Sequence, residues 1–137
     1  MKCIILSFDN TLAEELLRGQ RKMLPWIKNF KKPVDKIVVA IRTPVGQVAI
    51  GSIMVESKAW ISKYTASSRI LRTDLSLPKM YWYDFSNSHK VCLFTLSDIE
   101  VFEKPERVEN LIGYRNIGSG VYFDDTYDGY GCDYDDE

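Results

Sequence analysis

The sequence is poor in the residues from which metal centres and disulfide frameworks are built. It contains one histidine, His89, and three widely spaced cysteines, Cys3, Cys92 and Cys132, with no Cys-x-x-Cys pair. An odd number of scattered cysteines argues against a disulfide scaffold, and a single histidine leaves too few ligands for a zinc site. We therefore expect structural thiols, no bound metal and no cofactor.

Long hydrophobic runs are also missing. The apolar segment at the N-terminus extends only from Cys3 to Phe8, which is too short for the core of a signal peptide. No other run approaches the roughly 20 apolar residues that span a bilayer. We therefore expect a cytoplasmic protein with no membrane partner. With 45% hydrophobic residues in 137, the chain can bury one core, and a single domain over residues 1–123 is predicted.

Acidic residues are concentrated at the C-terminal end. Residues 124–137 hold seven of the nineteen acidic side chains and no Lys or Arg. Residues 1–123 therefore carry 18 basic and 12 acidic side chains, a net charge of +6. This composition predicts a basic domain followed by an acidic tail, 124–137, that is disordered unless a basic surface holds it.

The basic residues are concentrated early in the chain. Seven of the eighteen Lys and Arg residues lie between positions 18 and 36, and this density predicts an anion-binding surface. They are Arg18, Arg21, Lys22, Lys28, Lys31, Lys32 and Lys36.

The segment SFDNT, residues 7–11, resembles the Asp-x-Asp-x-Thr loop of haloacid-dehalogenase-type phosphotransferases. Ser7 stands where the attacking carboxylate of that loop would be, so the nucleophile is missing. The same residues have a structural interpretation. Asn10 or Thr11 can cap a helix, and Gly19 stands where a helix of two turns would end.

Two β-branched segments, 36–41 and 48–55, are separated by Thr43-Pro44-Val45-Gly46 and predict an antiparallel hairpin. Gly51 indicates a bulge or bend in the second strand, and Pro25 restricts any strand around it to a sheet edge. A helix followed by such strands predicts an α+β fold: a small, curved, mostly antiparallel β-barrel with flanking helices.

Three segments in this order resemble the activating-signal-cointegrator homology (ASCH) domain of the PUA-like superfamily. They are LAEELLRGQRKM, then VDKIVVAIRTP with QVAIGSIMVES, then KVCLFTLSDIEVFEKPERV. The resemblance covers the region between Ile4 and Val108. It implies a PUA-like barrel with helices at its sides, whose cleft binds RNA or a single nucleotide base.

Some ASCH-like proteins are hydrolases that deacetylate a modified cytidine. For these, the resemblance implies three catalytic residues: a Lys and a Thr just after the glycine that ends the helix, and a later Glu. Aligned on Gly19, this chain has Arg21 at the lysine and Lys22 at the threonine. Arginine keeps its proton and cannot serve as a base or an amine nucleophile. A shift of one residue restores Lys22 but leaves Met23 at the hydroxyl position. Binding without catalysis is therefore favoured, and hydrolysis with Lys22 as the reactive amine remains an alternative.

Binding of a nucleic acid needs cations for phosphates and flat side chains for bases. The predicted ligand is RNA rather than DNA, or a nucleotide base. Trp26 and Tyr83 are the candidates for stacking, and Trp60 supplies another aromatic face. The candidates for phosphate contact are Arg18, Arg21, Lys22, Lys28, Lys31 and Lys32.

The acidic, tyrosine-rich segment Asp124–Glu137 allows two roles. It can regulate binding by folding over the basic groove of its own domain. Alternatively, it can imitate a phosphate backbone and bind a basic partner protein, which would make the chain a protein-binding inhibitor. These alternatives remain open at the level of sequence.

Overall fold

The computed structural model of the chain describes residues 1–26, 29–73, 89–108, 110, 121–124 and 133–134, with residues 71–73 and those after 110 described by backbone alone. Two helices and seven strands are found in this part of the chain. They are β1 (Lys2–Phe8), α1 (Asn10–Leu17), β2 (Met23–Trp26), β3 (Lys36–Thr43), β4 (Gly46–Ser62), α2 (Lys63–Thr73), β5 (Lys90–Arg107), β6 (Val121–Asp124) and β7 (Asp133–Tyr134).

The strands form one sheet in the order β2-β5-β4-β3-β1-β6-β7. Every neighbouring pair is antiparallel except β1 and β3, which are parallel. An α+β fold with a mostly antiparallel sheet is thus confirmed. Pro25 lies in β2, which is an edge strand, as predicted. Proline has no backbone N–H with which to hydrogen-bond a second neighbouring strand.

β3 and β4 form the predicted hairpin, whose last paired residues are Thr43 and Gly46. The Thr43 hydroxyl donates to the Gly46 carbonyl at 2.8 Å. The predicted irregularity at Gly51 is also present: the register of β4 against β5 shifts between Ala49 and Gly51. Such a bulge increases the local twist and bends the strand.

The sheet is curved, and the described strand pairs leave it open. β4 and β5 are long strands, and their register shifts twice more between Ile53 and Ser57. The curvature brings the far end of β2 towards β1, so that the Phe8 and Trp26 rings meet with centroids 5.5 Å apart. However, β2 and β7 stand at opposite ends of the strand order, so the described strands do not confirm a closed barrel.

The two helices cover opposite faces of the sheet. The inner face carries the largest core cluster, which includes Leu6, Leu24 and Phe94, and α1 packs there through Ala13 and Leu16. On the outer face, α2 packs against β5. Its contacts come from four buried residues, Ala66, Ile70, Val91 and Leu93.

The cap of α1 is one residue earlier than predicted. The Asp9 carboxylate, not Asn10 or Thr11, accepts from the Leu12 backbone N–H at 2.8 Å. A carboxylate is also the best partner for the positive end of a helix dipole. The helix ends before Gly19, which adopts φ +75°, as predicted for a glycine beyond a helix terminus.

Gly51 lies directly beneath Leu17 of α1. A Cβ at this position would lie 2.6 Å from the Glu100 carbonyl oxygen and 2.7 Å from a methyl group of Leu17. We expect Gly51→Ala to lower the free energy of unfolding by about 1–3 kcal/mol, because the backbone of β5 cannot move aside cheaply. Urea denaturation would measure this loss. A change below about 0.5 kcal/mol would contradict the close packing of α1 on β4.

The C-terminal residues are described only in part. Asp124 is the last residue of β6, and Asp133 and Tyr134 form β7, which pairs with β6. The other residues of 124–137 lie outside the described residues, so the boundary between domain and tail stays a prediction. No described helix is long and apolar enough to cross a membrane.

Candidate nucleic-acid interface

The two arginines at the end of α1 are both paired with glutamates of that helix. Arg18 contacts Glu14 at 3.4 Å with both side chains about two-thirds exposed. Arg21 donates from Nε to the Glu15 carboxylate at 2.8 Å, and its Nη2 contacts the same oxygen. Since each of these two arginines is paired with a glutamate of α1, the two pairs add no net positive charge to the surface.

Arg21 is buried, with only 3% of its surface exposed. The chain turns back at Gly19 and places residue 21 against the helix it has just left. This placement differs from the expected role of Arg21 as an exposed phosphate contact. In this conformation, a phosphate could reach its guanidinium only by displacing Glu15.

The exposed lysines are better placed for a polyanion. Lys22, Lys31 and Lys32 are all exposed. The Lys22 carbonyl accepts from the Leu96 N–H at 2.9 Å, which fixes the chain beside β5 just before β2 begins.

Lys31 and Lys32 follow Phe30, a fully buried residue that anchors their segment to the core. The Phe30 ring packs against Phe94 of β5 with centroids 5.8 Å apart. The Phe30 carbonyl accepts a hydrogen bond from Nζ of Lys58 on β4. A third lysine is therefore bound directly beside the Lys31–Lys32 pair.

Strand register relates these lysines to one another. Thr95 of β5 pairs with Met23 of β2 on one side and Ser57 of β4 on the other. Lys22 and Lys58 are the chain neighbours of these two residues. Adjacent strands are about 4.8 Å apart, so the two backbones lie about 10 Å apart across β5. Lys22 and Lys58 therefore lie on either side of residues 94–96 of β5.

Trp26 is half-buried at the end of β2, and its ring meets the edge of Phe8 at an interplanar angle of 70°. One part of the indole belongs to the core and the rest faces solvent. This placement is compatible with the predicted stacking role. Two other predicted site residues, Lys28 and Tyr83, lie outside the described residues.

A polar pocket lies at the end of β1, where Phe8 forms part of its lining. It has a volume of ≈ 480 Å³ and is lined by Ser7, Phe8, Asp9, Asn10 and Arg42. The Ser7 hydroxyl donates to Oε1 of Gln47 at 2.5 Å. With a guanidinium, a hydroxyl and an amide, the pocket has groups that can hydrogen-bond an anionic or polar ligand.

Sequence reasoning missed Arg42 as a pocket residue. The SFDNT segment is similar to a phosphotransferase loop, but nothing in the sequence links it to Arg42. The link is the parallel pairing of β1 and β3, in which Phe8 is opposite Ile41. Because carboxyl ends of parallel strands meet at one edge, Arg42 comes to line the same pocket as Ser7.

The thiols and acidic groups of the described residues form no metal site. No group of three His, Cys, Asp or Glu side chains among them is arranged to hold an ion. Cys3 and Cys92 are buried thiols that form no disulfide.

Comparison with solved structures identifies the fold. The chain is similar to an ASCH protein from Zymomonas mobilis at 18% identity, with a TM-score of 0.66 over 81% of this chain and 77% of that one. A serine-to-alanine variant of the Zymomonas protein gives a TM-score of 0.68 at 20% identity over 85% and 82% of the two chains. A tyrosine-to-phenylalanine variant gives 0.66 at 20% identity over 82% and 81%. The chain therefore has the fold of an ASCH domain, as its sequence resemblance predicted. No family model and no curated protein matches it.

Proposed function

We propose that this chain is a non-enzymatic domain that binds RNA or a nucleotide base. Trp26 stacks on a base, and the exposed Lys22, Lys31 and Lys32 contact phosphates. The observation that carries the proposal is the half-buried indole of Trp26 on a strand whose start lies next to this group of lysines. The ASCH fold supports it, with the curved sheet, which is open between its edge strands β2 and β7, acting as a PUA-like barrel.

The placement of Lys22 favours binding over the hydrolytic alternative. A nucleophilic lysine needs a site that removes its amine from water, and Lys22 is exposed. Arg21, which the resemblance aligns with the catalytic lysine, is engaged by Glu15. We expect no release of acetate from acetylated cytidine by the intact protein. Release that disappears in Lys22→Ala, with the fold retained, would establish the hydrolase instead.

Binding can be tested with a labelled single-stranded RNA of about ten nucleotides, followed by fluorescence anisotropy. Trp26→Leu should weaken binding about tenfold, because a base stacked on an aromatic ring contributes roughly 1–3 kcal/mol and each 1.4 kcal/mol is a factor of ten. The double variant Lys31→Ala/Lys32→Ala should reduce the slope of log affinity against log salt by about two.

Lys104→Ala is the matched control for the lysine variants. Lys104 is exposed on the half of β5 that pairs with the start of β4, away from β2. Its removal should leave the affinity nearly unchanged. If Lys104→Ala weakens binding as much as removal of Lys31 or Lys32 does, the interaction is diffuse electrostatic attraction and the proposed interface is wrong.

The acidic segment is proposed to regulate this binding. β6 pairs with β1 so that Asp124 is opposite Lys2, and Lys2 in turn exchanges hydrogen bonds with Asp35 at the start of β3. The acidic residues after Asp124 therefore begin at the same end of the sheet as the segment that leads from Lys31 and Lys32 into β3. From there they can compete with a phosphate backbone for the same lysines.

Removal of residues 125–137 should tighten RNA binding several-fold at low ionic strength. The effect should disappear near 1 M salt, where the Debye length is about 3 Å. Affinity purification with the intact and the shortened chain, scored for protein as well as RNA, separates the two roles of the tail. Loss of a basic partner protein without any gain in RNA affinity would support the phosphate-mimic alternative.

A further inference from the structure

We infer that the interface accommodates at least two consecutive bases of a single strand, the first on Trp26 and the second on Trp60, with Lys90 beside them for a phosphate. This inference rests on the proposed function and specifies its ligand as an oligonucleotide rather than a free base. It depends on strand register, which aligns residues that are far apart in the chain.

Trp26, Cys92 and Trp60 form one row across three adjacent strands. Cys92 of β5 pairs with Trp26 of β2 and with Trp60 of β4. Residues directly opposite each other in a sheet extend their side chains from the same face. The two indoles therefore stand on one face, with the small side chain of Cys92 between them.

That face is the inner one, and the row marks the border of the core. The preceding row, Leu24–Phe94–Lys58, contains two fully buried core residues. The following row pairs Lys90 with Ser62 at the end of the sheet.

The three side chains of the row differ in their exposure to solvent. Cys92 is 1% exposed, whereas Trp60 is 38% exposed and Trp26 is half-buried. The large apolar side chain of Trp60 is absent from the core clusters of the described residues. Both indoles therefore keep solvent-exposed surface, while α2 covers the opposite face of these strands.

The spacing of the indoles indicates two bases rather than one. β2 and β4 are two strand spacings apart, so the Trp26 and Trp60 backbones are separated by about 10 Å. Bases stacked in a helix are about 3.4 Å apart along each strand. Indoles on backbones this far apart suit two bases of an extended strand better than neighbouring bases of one continuous stack.

The charge of the surrounding strands indicates which kind of ligand binds to this row. The paired segments 23–26, 57–62 and 90–96 contain two lysines, Lys58 and Lys90, and no acidic residue. Both lysines lie two positions from the row on the same face, Lys58 on the core side and Lys90, which is exposed, on the solvent side. An aromatic row with a cation on either side fits a single-stranded polyanion with flat bases.

The test compares a uridine mononucleotide, the corresponding dinucleotide and a uridine oligonucleotide as competitors of labelled RNA. Wild-type protein should bind the dinucleotide about tenfold more tightly than the mononucleotide. Trp60→Leu should remove this gain and leave the mononucleotide affinity unchanged. Trp60→Phe should retain most of the gain, because stacking tolerates a change of ring.

Tyr64→Leu is the matched control, because Tyr64 is a more exposed aromatic residue only four positions away, on α2. It should bind all three competitors as the wild type does. Thermal unfolding monitors the fold of each variant. If Trp60→Leu still binds the dinucleotide more tightly than the mononucleotide by the full factor, the second base site, on Trp60, is refuted. The proposed binding at Trp26 is then unaffected. If the wild type binds none of the three competitors, the proposed function itself fails.

Discussion

Phe30→Ala is expected to lower the free energy of unfolding by about 3–5 kcal/mol, the usual cost of removing a fully buried phenyl ring. Phe30 has no exposed surface and packs against Phe94 in the inner core. The cavity would open beneath the segment that carries Lys31 and Lys32. Urea or thermal denaturation monitored by circular dichroism would measure the loss.

Phe30→Leu is the control for that experiment. Leucine keeps an apolar side chain of similar bulk, so the loss should stay below about 1.5 kcal/mol. Under conditions in which both variants are folded, Phe30→Ala should also bind RNA more weakly, because Lys31 and Lys32 lose their anchor. A loss of stability below about 1 kcal/mol for alanine would show that this segment does not pack as the structure describes.

Glu15→Ala is expected to destabilise the protein by about 3 kcal/mol, because it leaves the buried guanidinium of Arg21 without its carboxylate. Arg21 is 2% exposed at its side chain and Glu15 is 27% exposed. The neighbouring Glu14→Ala removes a carboxylate from an exposed pair with Arg18 and should change stability by less than about 1 kcal/mol.

The two glutamates make a matched comparison. They are adjacent on α1, and each substitution has the same effect on helix propensity, so the difference between the two variants isolates the effect of burial. Equal unfolding free energies for Glu14→Ala and Glu15→Ala would contradict the buried ion pair. A marked loss in Glu15→Ala alone would explain why Arg21 does not contribute to the positive surface.

The basic surface is smaller than the density of Lys and Arg in the sequence suggests. A count of cations between positions 18 and 36 includes Arg18 and Arg21, but both are paired with carboxylates that lie just outside that window. The positive charge proposed to contact phosphate therefore comes from lysines on segments next to β5. The number of Lys and Arg residues in a segment predicts the surface potential only after the ion pairs have been taken into account. Which ion pairs form depends on how the chain turns after α1.

Several features were determined by the sequence alone because their causes are local. A proline and a glycine at the second and fourth positions of a four-residue turn specified the turn between β3 and β4, and Gly51 specified the bulge in β4. Gly19 marked the end of α1, and Pro25 restricted β2 to an edge. Each of these depends on the backbone preferences of a few neighbouring residues, which do not change with the rest of the fold.

The cap of α1 shows the limit of such local rules. Asp9, Asn10 and Thr11 are all suitable caps, and the sequence does not choose among them. The choice of Asp9 depends on where β1 stops pairing with β3, which is at Phe8. One residue of strand length thus decides which side chain faces the N–H groups of the helix.

Only the tertiary structure decided the candidate interface. Trp26, Cys92 and Trp60 are separated by more than thirty positions in the chain from one to the next, and they meet because β5 pairs with both β2 and β4. Ser7 and Arg42 line one pocket because β1 and β3 run parallel. Strand partners are selected by the burial of a whole sheet face in a common core, and no local segment carries that information.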